Sequence, residues 1–177
     1  AARGLTMVHP YDDADVIAGQ GTIALEMLAQ QPELDCLCVA IGGGGLISGV
    51  ATAARALKPG ITVVGVQTDQ FPSMYAAFKG VEMPSANATL AEGIAVKQPG
   101  ELTCEIVKRI VDDVVLVSEG DIEQAIVMLL EIEKTVVEGA GAVGLAALLR
   151  HRARFAGRKV GLILCGGRGS RMGGVDK

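Results

Sequence analysis

Four consecutive glycines, Gly42, Gly43, Gly44 and Gly45, stand between a short apolar run and a helix-like stretch that begins at Leu46. Glycine has no Cβ atom, so its backbone N–H groups can approach a ligand closely. The first turn of a following helix adds N–H groups without an intrahelical partner and the positive end of a dipole. This arrangement predicts a site for a phosphate group. A tight turn without a ligand is the alternative, and the backbone entropy cost of four glycines argues against it.

The glycine loop differs from the commoner phosphate-binding motifs. A Walker A loop needs a Lys, and residues 42–49 contain none. The spacing G-x-G-x-x-G of a dinucleotide site is not matched, and the next predicted strand, 61–66, is followed by Gln67 rather than by an acid that would hold a ribose. The loop therefore disfavours a nicotinamide-dependent enzyme.

A parallel sheet covered by helices is the architecture that positions this loop. Half of the 177 residues are hydrophobic and only 3% are aromatic, in a chain long enough for about one domain. Strands are predicted at 4–8, 36–41, 61–66, 114–117 and 160–164, and helices between them, including one that runs from 118 to about 135. This order predicts an α/β fold with three αβα layers. The scarcity of aromatic side chains disfavours nucleic-acid binding by base stacking.

Charge, cysteine and hydropathy exclude further classes. Residues 1–149 carry 8 Lys+Arg and 19 Asp+Glu, whereas residues 150–177 carry 8 and 1, which predicts a solvated basic helix end or a phosphate-binding patch. Four Cys without a C-x-x-C pair and only two His predict no zinc site and a reducing, cytoplasmic compartment. The first residues do not resemble a signal peptide. No apolar run reaches the length of about 18 residues that spans a membrane.

Several motifs occur together and in a fixed order. They are H-P-Y-D-D at 9–13 with V-I-A-G-Q-G-T-I-A-L-E at 16–26, the tetraglycine loop, T-L-A-E-G-I-A-V at 89–96, L-V-S-E at 116–119 and E-G-A-G-A at 138–142. Over about residues 4–167 they closely resemble the pyridoxal-phosphate-dependent threonine dehydratase and serine racemase family, fold type II. The resemblance implies an incomplete large domain of such an enzyme. Residues 1–167 would be a partial cofactor-binding catalytic domain, and 168–177 a basic, glycine-rich tail.

The resemblance also implies the residues that bind pyridoxal phosphate. In this family the tetraglycine loop holds the cofactor phosphate, and a Ser or Cys after the last strand faces the pyridine nitrogen. Glu138 would lie near the cofactor or cap the helix that it precedes, and the turn at 91–93 would line the pocket. The matching positions are Gly42, Gly43, Gly44, Gly45, Leu46, Cys165, Gly166, Tyr11 and Glu138.

The activity that the resemblance implies is β-elimination from a small amino acid, L-threonine to 2-oxobutanoate and ammonia. The Schiff-base lysine of this family lies upstream in a Ser-x-Lys context, and no Lys of this chain has that context. The chain alone is therefore predicted to have no catalytic residue and no activity. Gln67 and Ser73 fall where the racemase has cation-binding carboxylates, so no metal is predicted. The exposed core surface of an incomplete domain predicts self-association or a homo-oligomer.

The C-terminal run departs from the family pattern. Residues 162–177 contain G-G-x-G-x-R-M and a final Lys, and they resemble the start of a molybdenum cofactor guanylyltransferase. Glycines would allow close backbone approach, and Arg171 and Lys177 would supply charge to a nucleotide phosphate. Two alternatives to a lyase fragment therefore stay open, a nucleotide-binding element in the tail and a non-catalytic remnant domain.

Overall fold

Four parallel strands form the centre of the fold, in the order β3-β2-β1-β4. The structure is a computed structural model that describes residues 6–164, 168–169 and 175–176. Cys36 on β1 lies beside Thr62 on β2 and Val160 on β4, so β1 is an inner strand. The strands are β1 (Cys36–Ala40), β2 (Thr62–Thr68), β3 (Asp113–Val117) and β4 (Val160–Leu162).

Helices cover both faces of this sheet, which confirms the predicted three-layer α/β architecture. Side chains of α1 to α4 form one core cluster with the sheet, and those of α5 to α7 form the other. A short 3-10 helix, Glu92–Ile94, lies between α3 and α4. The helices are α1 (Ala14–Gln30), α2 (Gly45–Leu57), α3 (Ser73–Lys79), α4 (Glu101–Ile110), α5 (Glu119–Glu131), α6 (Gly139–Arg150) and α7 (Arg152–Phe155).

The strands are continuous apolar runs because each side of the sheet is buried. On β1, Leu37 and Val39 belong to the cluster with α1 to α4, whereas Cys36 and Cys38 belong to the cluster with α5 to α7. Burial raises the pKa of the Cys36 thiol to about 11 and that of Cys38 to about 12. Both cysteines are free and act as neutral core residues.

The structure differs from the sequence prediction at three places. Residues 6–8 form no strand, and Met7 and Val8 are 84% and 61% exposed, because no strand of the described sheet lies beside them. The helix predicted to reach about 135 ends at Glu131, since Lys134 adopts a left-handed φ of 54° that cannot continue a right-handed helix. The four-residue helix α7 was not predicted.

Two further short strands lie near the C-terminus. Arg168–Gly169 (β5) pairs antiparallel with Val175–Asp176 (β6). Among the described residues no helix is long and apolar enough to cross a membrane. The same part of the chain contains no group of three or more His, Cys, Asp or Glu that could hold a metal ion.

Asp113, the first residue of β3, joins three elements electrostatically. Its Oδ1 accepts a hydrogen bond from Lys79 Nζ at 2.6 Å, and its Oδ2 forms an ion pair with Arg154 of α7. Burial alone would raise the pKa of Asp113, but the Lys79 hydrogen bond and the Arg154 charge outweigh it and the pKa lies below its usual range. The ionised carboxylate therefore stabilises the fold above the unfolded pKa of about 3.9. That contribution is lost as the pH falls through the folded pKa.

We expect Asp113→Asn to lower the free energy of unfolding by about 1 kcal/mol at neutral pH. The difference from the wild type should shrink as the pH falls from the unfolded pKa of about 3.9 through the lower folded pKa, because the carboxyl is then protonated in both the folded and the unfolded chain. Urea unfolding at several pH values measures this, with Glu82→Gln on an exposed segment as the control for losing one charge. A constant difference across the whole pH range would contradict the assignment.

Candidate functional site

The glycine loop lies where ligands bind in open parallel sheets. Residues 42–45 follow the carboxyl end of β1, and α2 begins at Gly45. Strands β2 and β3 extend the sheet on one side of β1, whereas β4 lies on its other side. Connections at such a switch point leave the sheet in opposite directions and open a crevice at the carboxyl ends of the strands.

The backbone of the loop at Gly44 excludes other residues. Gly44 occupies the N-cap of α2 with a φ of 102°, a conformation that residues with a Cβ rarely adopt. A Cβ there would lie 2.7 Å from Met74 Cε and 2.8 Å from Thr103 Oγ1. No side chain caps α2. The N–H groups of its first turn therefore remain available to an anion, which the helix dipole also favours.

The loop forms one wall of a cavity of about 320 Å³. The ring of Tyr11 packs over Gly43, where a Cβ would lie 2.3–2.4 Å from three ring carbons. The Tyr11 hydroxyl donates to the Gln98 carbonyl at 3.3 Å. The other residues that line the cavity are Pro10, Ala40, Gly42, Gly44, Gly45, Leu46, Gly93, Ile94, Val96, Glu138 and Ala140.

The structure thus brings most of the sequence-predicted site residues into one cavity. The four loop glycines, Leu46, Tyr11 and Glu138 all line it. Their contact with a cofactor stays a prediction. Cys165 and Gly166, like Arg171 and Lys177 of the tail, lie outside the described residues.

Glu138 gives the cavity a second kind of polar wall. It occupies the N-cap of α6, but its side chain makes no capping hydrogen bond. Its Oε1 lies 3.3 Å from the position of a Cβ on Gly93, which also lines the cavity. The cavity wall therefore includes both the backbone of the glycine loop and a carboxylate. No lysine is among the described residues that line it.

Hydrogen bonds from the N-terminal end of α4 fix the glycine loop, and Asp12 fixes that end of α4. Thr103 Oγ1, fully buried, donates to the Gly43 carbonyl at 2.7 Å, and the Gly100 N–H donates to the same oxygen at 3.2 Å. The carboxylate of Asp12 accepts from the Glu101 and Thr103 N–H groups, both at 3.0 Å. Asp12 therefore caps α4 across the fold.

Glu119 fixes a second segment beside the cavity, residues 89–90. Its Oε1 accepts from Thr89 Oγ1 at 2.6 Å and from Thr68 Oγ1 at 3.0 Å, and its Oε2 accepts from the Leu90 N–H at 2.6 Å. These bonds hold the segment that leads into the 3-10 helix beside the cavity. The sequence reasoning missed Glu119, Asp12 and Thr103 as supports. The L-V-S-E and H-P-Y-D-D motifs contained two of them, without showing what they contact.

Fold and site together define a class: an α/β protein whose glycine loop, after an inner parallel strand, forms an anion site. A family model described as "Pyridoxal-phosphate dependent enzyme" matches residues 1–166. The chain belongs to this family, whose cofactor is pyridoxal phosphate. This confirms the family resemblance and the cofactor that the sequence predicted.

Individual members of the family are similar to this chain over almost its whole length. The L-threonine ammonia-lyase of Thermotoga maritima is 49% identical over 166 residues, which are 93% of this chain and 41% of that protein. The L-threonine ammonia-lyase of Geobacter sulfurreducens is 51% identical over 168 residues, 93% of this chain and 42% of the relative. The structure of maize serine racemase superposes with a TM-score of 0.87 at 38% identity, over 96% of this chain and 55% of that one. The chain therefore spans less than half the length of the two ammonia-lyases.

The cavity fits the phosphate end of this cofactor. A Cβ on Gly43 or Gly44 would clash, so the loop backbone stays bare. The first turn of α2, which no side chain caps, adds further N–H donors. Gly42, Gly43, Gly44, Gly45 and Leu46 are thus the residues that would hold the phosphate.

Proposed function

We propose that this chain is the phosphate-binding part of a pyridoxal-phosphate-dependent ammonia-lyase that acts on a small hydroxy amino acid, with L-threonine as the first candidate substrate. The observation that carries the proposal is the bare glycine loop at the N-terminus of α2, in a chain whose relatives are named L-threonine ammonia-lyases. When bound, pyridoxal phosphate supplies the electron sink for loss of the α-proton and of the β-hydroxyl.

The residues of this chain supply binding and shape rather than proton transfer. The loop N–H groups and the α2 dipole hold the phosphate. The Tyr11 ring covers Gly43 and keeps water from that side of the loop. Glu138 adds a carboxylate to the lining of the cavity. None of the described residues that line the cavity is a lysine, so the chain holds the cofactor without a covalent bond.

Retention of pyridoxal phosphate tests the binding proposal. The 177-residue chain, dialysed against the cofactor, should retain it, and inorganic phosphate should displace it competitively. Pyridoxal, which lacks the phosphate, is the matched control ligand and should not be retained. Equal retention of the two, or retention that phosphate does not affect, would refute a phosphate-directed site. No retention of either would favour the non-catalytic remnant domain.

We expect no turnover of L-threonine by the chain alone, because none of the described residues that line the cavity is a lysine. The measurement is 2-oxobutanoate formed in the presence of pyridoxal phosphate, compared with the rate for free cofactor. A rate well above that of the free cofactor would overturn the proposed inactivity.

Two further expectations and one alternative accompany this proposal. Self-association would use exposed apolar side chains such as Leu130 in the last turn of α5, and Ile132 and Val136 in the segment that follows it. A cytoplasmic location fits free cysteines but stays a prediction. The nucleotide-binding alternative depends on tail residues outside the described part of the chain, so no observation here favours it.

A further inference from the structure

The carbonyl of Gly43 is held unusually firmly for a loop group. It accepts one hydrogen bond from Thr103 Oγ1 at 2.7 Å and a second from the Gly100 N–H at 3.2 Å. Both donors belong to the N-terminal end of α4. The Thr103 side chain is fully buried, so water cannot replace its hydroxyl.

Holding this carbonyl also orients the next N–H group. A peptide unit is planar, and in the trans form its C=O and N–H point in opposite directions. The chain contains no cis peptide bond among its described residues. With the Gly43 carbonyl directed at α4, the Gly44 N–H is directed away from α4. Gly43 and Gly44 both line the cavity.

Thr103 is itself fixed by a distant carboxylate. The Oδ1 atom of Asp12 accepts from the Thr103 N–H at 3.0 Å, and Oδ2 accepts from the Glu101 N–H at 3.0 Å. The Asp12 side chain packs closely on Gly100, since a Cβ on Gly100 would lie 2.1 Å from Asp12 Oδ1. The H-P-Y-D-D turn thus holds α4, and α4 holds the glycine loop.

We propose that Thr103 is a positioning residue of the anion site, which acts through the Gly43–Gly44 peptide to aim the Gly44 N–H at the ligand phosphate. This inference rests on the proposed function, because it assigns that phosphate to pyridoxal phosphate. Thr103 does not touch the ligand. Its hydroxyl fixes the direction of a donor before the ligand arrives, so that binding does not have to order the loop.

The test compares Thr103→Val with Thr103→Ser. Valine keeps the shape of threonine but cannot donate, whereas serine keeps the hydroxyl. We expect Thr103→Val to weaken pyridoxal phosphate binding about tenfold. Thr103→Ser should bind within about threefold of the wild type, because it restores the donor to Gly43. Ile122→Val, a conservative substitution in the core on the other face of the sheet, should leave binding unchanged.

Amide NMR during a titration with inorganic phosphate gives a second readout that general stability does not move. The Gly44 N–H resonance should shift with phosphate in the wild type and in Thr103→Ser, and lose most of its shift in Thr103→Val. Wild-type affinity in Thr103→Val, or equal losses in the two variants, would overturn the inference and leave the proposed function standing. Failure of the wild type to bind either ligand would overturn both.

Discussion

Replacing Gly49 with alanine should lower the free energy of unfolding by about 3 kcal/mol, enough to unfold a domain of marginal stability. Gly49 lies in the interior of α2, directly against α1. A Cβ at this position would lie 2.1 Å from the Ile17 carbonyl oxygen and 2.7 Å from the Gly21 nitrogen. Both are backbone atoms in the middle of a helix, so no side-chain rotation can relieve the clash. The two helices must separate.

Gly19→Ala in α1 is the matched control for Gly49→Ala. Nothing lies within 4 Å of a Cβ at Gly19, which is exposed in a helix interior. Alanine there should stabilise the chain by about 0.5–1 kcal/mol through helix propensity. Urea unfolding followed by circular dichroism measures both variants. Opposite signs are the expected result, and a loss below about 1 kcal/mol in Gly49→Ala would contradict the close packing.

The close packing of α1 against α2 also affects the cavity, because α2 begins at the cavity wall. The N-terminus of α2 carries the proposed anion site, so the position of α2 on the sheet sets where the donors lie. Gly21 and Gly49 let α1 and α2 approach at backbone distance, and a Cβ on Gly21 would lie 3.2 Å from the Gly49 carbonyl oxygen. The small residues here serve packing, whereas we propose that those of the loop serve binding.

Features determined by local sequence were predictable. The inner strands are unbroken apolar runs, as burial on both sides requires, and the glycine loop follows one of them directly. The apolar residues at 4–8 show the same pattern without forming a strand at 6–8, because a strand also needs a neighbour to pair with. The pattern does not contain that information.

Contacts between distant segments were not predictable from one sequence. Asp12, Asp13 and Asp15 together suggest the start of a helix, yet only Asp13 is the N-cap of α1, where it accepts from the Asp15 and Val16 N–H groups. Asp12 instead caps α4, 89 and 91 residues further along the chain. Two adjacent aspartates have the same local propensity. Only the tertiary fold distinguishes their roles.

Gly44→Ala should abolish retention of pyridoxal phosphate. Alanine at a φ of 102° costs about 1–2 kcal/mol in backbone strain. Its Cβ would also lie 2.8 Å from Thr103 Oγ1, the group that holds the Gly43 carbonyl. Relieving that contact moves either the loop or Thr103, and each movement turns the Gly44 N–H from its direction. Equilibrium dialysis with the cofactor measures the effect.

Gly80→Ala separates strain from binding. Gly80 also has a positive φ, 68°, at the C-cap of α3, but nothing lies within 4 Å of a Cβ there. Both variants should lose about 1–2 kcal/mol of stability from backbone strain. Only Gly44→Ala should lose the cofactor, because only its Cβ displaces a donor that faces the cavity. Loss of the cofactor in both variants would mean that global stability controls binding, and retention in Gly44→Ala would show that the loop backbone does not hold the phosphate.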